Sequence, residues 1–179
     1  MKTVLLALCL SITATNVFAS AEVKYLHVIK SARKLELIGN DDKVIKTYKV
    51  MLGRNPEGAK SEEGDNKTPE GTYTLDIKHE NSDFHRAFHI SYPNLKQKMK
   101  AKLHGKDPGG EIMLHGLPNN FLEMSDYLNK IGLGSLSDDL IRAGLVKYDW
   151  TNGCIAVTDA EIEEIFAMVD IPTKIVIEP

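Results

Sequence analysis

An α+β domain, mainly antiparallel β-sheet with inserted helices and a C-terminal capped helix, is the fold class that three patterns predict. Short β-branched segments separated by turn residues fill the first part of the chain. Apolar residues recur at helical spacing after Asn119. A capping box opens at Thr158 with Glu161 three residues on.

The elements follow in order. Val23 to Ile29, Leu35 to Ile38 and Val44 to Leu52 read as strands of an antiparallel meander, divided by Ser31, by Gly39-Asn40 and by Gly53. Gly53 to Gly71 is a long charged loop carrying Pro56, Gly58, Gly64 and Pro69, and loops of this length in a compact domain are often functional. Strands resume over Thr72 to Ile77, Ala87 to Tyr92 and Glu111 to Leu114. Asn119-Asn120 caps a helix with Phe121, Met124, Leu128 and Ile131 on one face, stopped by Gly132 and Gly134, and a second short helix begins at Ser137. Behind Thr158, the stripe Ile162, Ile165, Phe166 and Val169 faces a core; Pro172 follows, and Lys174 to Ile177 closes the sheet.

Residues 1–21 read as an export signal rather than part of the fold. Lys2 precedes an apolar run from Val4 to Ile12, and small residues at Ala19 and Ala21 offer cleavage sites. The run is too short to span a bilayer, and no later segment reaches about 18 apolar residues, so no membrane insertion is expected after cleavage. Export to the periplasm or cell envelope is the expectation, leaving a single domain over 22–179. Removing Lys2, the only charge in the leader, moves the formal charge from −3 to −4. With no clustered basic run, nucleic acid is excluded as a partner.

Cys9 leaves with the signal, so Cys154 stands alone in an exported domain, either as a small buried hydrophobe or as a reactive thiol. Two segments carry what a reactive thiol would need, although each of their residues has an ordinary structural reading as well. Asp149-Trp150-Thr151-Asn152-Gly153-Cys154 places the thiol after a glycine and four residues before a capped helix. Ile112-Met113-Leu114-His115-Gly116 ends an apolar strand on a histidine. A thiol nucleophile needs a base, and imidazole supplies one. Gly153 permits a sharp turn that aims nearby amides at a developing oxyanion. Trp150 is a candidate for stacking on substrate or for the core, and His89 is a candidate for the cleft near His115 or for a polar strand position. His85, His89 and His115 are weighed as a zinc set. Four-residue spacing on a strand separates the first two, and neither a second cysteine ligand nor a His-Glu-x-x-His run is present, so no metal and no cofactor is expected.

These segments resemble the L,D-transpeptidase catalytic domain, also called the YkuD or ErfK/YbiS family. Its signature is a strand ending in His-Gly, an insertion, and Ser/Thr-x-Gly-Cys. His115-Gly116, Thr151-Asn152-Gly153-Cys154 and the earlier Thr68-Pro69-Glu70-Gly71-Thr72-Tyr73 occur in the family's order. His89-Ile90-Ser91-Tyr92-Pro93-Asn94, Pro108-Gly109-Gly110 and Asp149-Trp150-Thr151 resemble the YafK-like branch. The resemblance implies a YkuD-like β-sandwich or barrel acting on peptidoglycan stem peptides. Cys154 would attack the carbonyl of the third stem residue, with His115 as base and then acid, the Gly116 carbonyl or a neighbour orienting the imidazole, and Thr151 and Gly153 shaping the oxyanion side. Three departures stand out. Asn152 replaces a frequent second histidine, Ala156 replaces a frequent arginine or asparagine, and the stretch from Leu117 to Lys147 is long enough to form a lid. The acyl-enzyme half is common to a transpeptidase and to a peptide hydrolase (carboxypeptidase or amidase). A non-catalytic wall-binding module on the same fold is the third alternative.

Overall fold

The computed structural model describes residues 22–179, and the expected export signal lies outside them. The strands are β1 (Val23–Ile29), β2 (Lys34–Gly39), β3 (Val44–Lys49), β4 (Gly71–Ser82), β5 (His85–Ile90), β6 (Met113–His115), β7 (Ile155–Ala156) and β8 (Thr173–Glu178). They form one sheet in the order β3-β2-β1-β8-β4-β5-β6-β7. Five of the seven pairings are antiparallel. The parallel pairs β1–β8 and β6–β7 seat the closing strand and the segment behind Cys154. At the far end Met51, just past β3, bridges Ala156 of β7, so the sheet curls back on itself.

Alternation decides which face is inside. Leu26 and Val28 of β1, Tyr73 and Leu75 of β4, and Ile175 and Ile177 of β8 are buried, while intervening residues face outward. Helix α4 (Asp159–Met168) lies on that core. Ile162, Ile165 and Phe166 are buried, with the Phe166 ring 4.7 Å from that of Phe88. Its capping box is formed as expected. The Thr158 side chain accepts from the Glu161 amide, and Glu161 accepts from the Thr158 amide at 2.8 Å.

Some boundaries differ from expectation. β3 stops at Lys49: the Val50 amide still donates to the Arg33 carbonyl before β2, and Met51 to Arg54 then pairs with residues 151–156. β4 runs on to Ser82, β5 begins at His85, and β6 begins at Met113 because Glu111 adopts a left-handed φ of 51°. The expected helix after Asn120 is split into a 3-10 turn (Leu122–Met124) and α2 (Ser125–Lys130). Asn120 Oδ1 accepts from the Leu122 amide at 3.2 Å, whereas Asn119 accepts from the His85 amide and thus ties the turn to β5. Helix α3 (Asp138–Leu145) follows Ser137 as expected. Helix α1 (Leu95–Leu103) was not anticipated, although Asn94 and Gln97 form its capping box.

The insertion brings its own small core. Leu117, Phe121, Leu128, Ile141 and Leu145 pack with Met51, Trp150 and Ala156, joining α2 and α3 to the end of the sheet beside β7.

The 54–70 segment is pinned from within, although many of its residues face solvent. Lys30, 2% exposed, enters it from the end of β1 and donates to the Gly58 carbonyl (2.7 Å), the Thr68 carbonyl (3.1 Å) and the Glu70 carboxylate (2.8 Å). A buried ammonium is tolerable only with such partners. Lys30→Met should therefore cost about 3 kcal/mol, because it strands a half-buried carboxylate and two carbonyls. The urea unfolding midpoint checks this, and limited proteolysis should show first cleavage within residues 54–70.

Candidate active site

Backbone pairing puts the thiol and the imidazole in one cleft. Parallel pairing of β6 with β7 sets Leu114 beside Ile155 and His115 beside Ala156. On the other edge the Met51 and Ala156 amides and carbonyls exchange bonds of 2.9 and 2.8 Å, and Thr151 donates to the Leu52 carbonyl at 3.1 Å. Asp149 extends this seat by accepting from the Leu52 amide (2.9 Å) and from Arg33 Nη2 (2.7 Å).

Thr151 and Gly153 build the turn between these anchors. Thr151 Oγ1 donates to the Cys154 carbonyl (2.8 Å) and accepts from the Gly153 amide (3.1 Å). Gly153 has φ of 135°, and a Cβ there would lie 2.7 Å from the Lys67 carbonyl oxygen, so only glycine fits without displacement. The Gly153 amide is engaged by Thr151 Oγ1, so the glycine acts on this turn through its backbone conformation. Among the described residues the Asn152 and Cys154 amides have no acceptor and are the donors available there.

Cys154 is partly exposed to the cleft. Its Sγ accepts from the Met113 amide at 3.4 Å and donates to the Glu111 carbonyl at 3.6 Å. Burial pushes the thiol pKa up, against the Met113 amide and the Lys60 charge that favour the thiolate.

His115 is 2% exposed, its ring 4.5 Å from that of Phe84 at a tilt of 40° and edge-on at 5.7 Å to Trp150. Its Nδ1 lies 2.7 Å from the Gly116 carbonyl, an atom that can only accept, so Nδ1 carries the hydrogen and Nε2 holds the lone pair. This is the orienting contact expected of Gly116. A Cβ at Gly116 would come within 2.8 Å of Asp159 Oδ1, so the residue is small for packing reasons. Burial lowers the imidazole pKa to about 4, against the Gly116 contact, so the ring is neutral at pH 7. Thiol and imidazole therefore rest as a neutral pair, and among the described residues no hydrogen bond joins them.

The cleft has a volume of about 800 Å³. The 54–70 segment forms one wall through Arg54, Lys60 and Asn66, and the insertion forms the other through Met124, Asp126 and Tyr127. Arg54 spans them. Its guanidinium hydrogen-bonds Asn152 Oδ1, lies 3.4 Å from Asn66 Oδ1 and sits 5.5 Å above the Tyr127 ring. Lys60 is buried against Asp65 at 2.8 Å, and Asp65 also accepts from the Ser61, Glu62 and Lys67 amides. Burial alone would raise the Asp65 pKa; Lys60 and the amides overcome it and hold the carboxyl below its usual value.

Six of the eight residues singled out from sequence, Cys154, His115, Trp150, Thr151, Asn152 and Gly153, gather here, with Gly116 just behind the imidazole. Trp150 is 6% exposed, lines the cleft and donates its indole N–H to Met51 Sδ at 3.3 Å, so it is both wall and core. His89 does not join them. Its Nδ1 lies 2.6 Å from Asp76 on the neighbouring strand, away from the cleft lining. His85 is likewise held by Glu163 at 2.6 Å, and no cluster of metal-ligating side chains occurs among the described residues. Sequence reading missed Arg54, Lys60, Phe84 and Tyr127, which enter only through tertiary packing.

Comparison with known proteins agrees with this architecture. The sequence profile of the YkuD family, the L,D-transpeptidase catalytic domain, matches residues 23–177. YafK of Escherichia coli (strain K12), whose name places it among the L,D-transpeptidases, is 29% identical over 97 residues, 51% of this chain and 37% of that protein. The structure of the helical cell shape determining protein Pgp2 from Campylobacter jejuni superposes with a TM-score of 0.58 at 26% identity, covering 89% of this chain and 51% of that one. Bd1075 of Bdellovibrio bacteriovorus shares the fold, with a TM-score of 0.55 at 23% identity over 90% of this chain and 49% of that one. The chain spans about half the length of these solved relatives. With the family profile covering the sheet, both candidate motifs and the closing strand, the chain belongs to the YkuD family of L,D-transpeptidase catalytic domains.

Proposed function

We propose that the protein is an exported cysteine acyltransferase of the cell envelope, an L,D-transpeptidase acting on peptidoglycan stem peptides through a thioester on Cys154. The observation that carries this is the pairing in one cleft of a partly exposed thiol with a neutral imidazole whose Nε2 lone pair is uncommitted. Sγ attacks the carbonyl of the third stem residue while its proton passes to His115 Nε2. The Asn152 and Cys154 amides receive the oxyanion. Collapse breaks the C–N bond, the imidazolium returns the proton to the departing amine, and the acyl group stays on sulfur. An acceptor amine then attacks the thioester, loses its proton to His115, and the thiol is restored.

Arg54 supports a donor that ends in a carboxylate. It supplies a cation beside Asn152, although Ala156 has no side chain to offer one, and its ties to Asn152 and Tyr127 hold the guanidinium in place. The insertion forms a wall where the acceptor amine is held. A bound amine has a large effective molarity against water at about 55 molar. The Campylobacter jejuni relative is named a helical cell shape determining protein, and we extend a role in cell shape to this chain. If water outcompetes the amine, the same site is a carboxypeptidase.

Incubation with disaccharide-tetrapeptides, followed by mass analysis, should give cross-linked or exchanged products. Cys154→Ala should give none, and Cys154→Ser a trace. His115→Gln should lower kcat roughly 100- to 10,000-fold. Trimmed tripeptide alone at saturating acceptor would establish the hydrolase; product from Cys154→Ala would remove the thioester.

The pH profile carries its own signature. The base must be unprotonated, and its pKa is depressed to about 4, so it is available at every pH above that value. In short assays, kcat/KM should hold as pH falls from 7 towards about 5 and drop only near about 4. An acid limb near the ordinary imidazole value of about 6.5 would show that His115 does not act from its buried position.

A further inference from the structure

Helix α1 presents an apolar crest with basic flanks to solvent. Its inner face is marked by buried Ala101 and by Gln97, whose side chain donates to Tyr73 Oη. Leu95, Met99 and Leu103, four residues apart on the opposite face, are 72%, 58% and 84% exposed. At about 100° per residue they make a stripe roughly 80° wide. By the same spacing Lys96 and Lys100 fall on one side of it and Lys98 and Lys102 on the other. Among the described residues none of these four lysines has an ion-pair partner, whereas Lys106 beyond the helix pairs with Glu62 at 2.6 Å. Lys98, Lys102 and Lys106 border a shallow depression that also holds Asp107, whose carboxylate accepts from the Gly109 amide at 2.8 Å. Gly109 borders the catalytic cleft as well.

We propose that α1 is a docking surface for an anionic lipid bilayer. Leu95, Met99 and Leu103 enter the boundary between headgroups and acyl chains, and the lysines reach anionic headgroups with their stems along the apolar layer. The two features together select this partner. A soluble polyanion would use the lysines and gain nothing from three large exposed apolar side chains. An apolar protein groove would have to strip water from four unpaired ammonium groups. Charge complementarity is local, since the chain as a whole carries −3. A nine-residue helix with one apolar crest gives reversible association, not insertion. The contact holds the cleft next to the bilayer, and it is independent of the chemistry at Cys154.

Co-sedimentation tests this with vesicles of phosphatidylglycerol and phosphatidylcholine, against phosphatidylcholine alone. Wild-type protein should bind the anionic vesicles in a salt-sensitive manner. Each replacement of Lys96, Lys98, Lys100 or Lys102 by Gln should lower the partition coefficient about fivefold; Arg at all four should retain binding. The triple variant Leu95→Ser, Met99→Ser, Leu103→Ser should fall to the phosphatidylcholine level with an unchanged urea midpoint. All proteins share one N-terminus, so differences report on α1. Wild-type binding by both variant sets would overturn the proposal. So would retention by the triple serine variant alone, which would mark a site for soluble polyanions. A change of sedimentation coefficient on losing the stripe would assign the face to a second copy of the chain instead.

Discussion

Residues 151–156 are hydrogen-bonded along both edges. Met51 to Arg54 hold one side through bonds of 2.8 to 3.1 Å, and β6 pairs with the other. The consequence is positional. His115 sits on the strand that flanks Ala156, so the register that seats β7 also fixes how far the imidazole lies from the thiol two residues earlier. A one-residue slip would turn His115 to the opposite face and into the main core. Thr151 then closes the turn on itself, and Gly153 lets the chain pass close to the Lys67 carbonyl. The 54–70 segment is tied in by Thr68, whose hydroxyl accepts from Gly53 and donates to the Cys154 carbonyl. Loop, strand and Cys154 segment thus stand or fall together.

Electrostatics at the cleft follow from burial more than from charge. The imidazole is enclosed by Phe84 and Trp150, with only the Gly116 carbonyl to favour its cationic form, so it stays neutral. The thiol is raised for the same reason. A preformed thiolate–imidazolium pair, which a nearby base suggests from sequence, is therefore not the resting state. On the proposed reaction, proton transfer would accompany attack, when substrate shields the pair and the Asn152 and Cys154 amides compensate the developing charge. Among the described residues the one buried ion pair beside the cleft, Lys60 with Asp65, is internally balanced, so it shapes the wall while adding modest positive potential at sulfur.

How far the sequence discloses this depends on the range of the interaction. The capping box of α4 and the strand at β1 are written within a few residues, and each has its expected structure; the motifs His115-Gly116 and Thr151 to Cys154 are equally local, and the fold brings them to one cleft. Interactions that cross the fold are not written locally. Arg54 and Asn152 are 98 positions apart, and nothing near Arg54 marks it as a cleft residue. The 54–70 segment reads as solvated because its composition is charged, yet Lys30, Lys60 and Asp65 are turned inward and paired. Composition counts charges without showing which are internal. α1 fails for the opposite reason. Its capping box is local and readable, but Leu95, Met99 and Leu103 point away from the core, so a search for a core-facing stripe has no face to find.

The insertion, too, takes a different part from the one its length suggests. A lid that swings over an acyl-enzyme must separate from the body at modest cost. Here Leu117, Phe121, Leu128 and Leu145 share a core with Met51, Trp150 and Ala156, which belong to the sheet and the nucleophile segment. Opening that contact would return several large side chains to water at about 1.5–3 kcal/mol each. It would also remove the support of Trp150 against the imidazole. Arg142 adds a further tether, donating to Asp159 of α4 at 3.0 Å and to the Pro118 carbonyl at 2.7 Å. The insertion is therefore a standing wall. On the proposed reaction, discrimination between an amine and water would rest on the side chains it presents to the cleft, Met124, Asp126 and Tyr127, rather than on closure. Two of these are polar, and Tyr127 is itself engaged by Arg54 across the gap. Donor carboxylate and acceptor amine would thus be read by groups that touch one another, which couples the two halves of the reaction through a single cation–π contact.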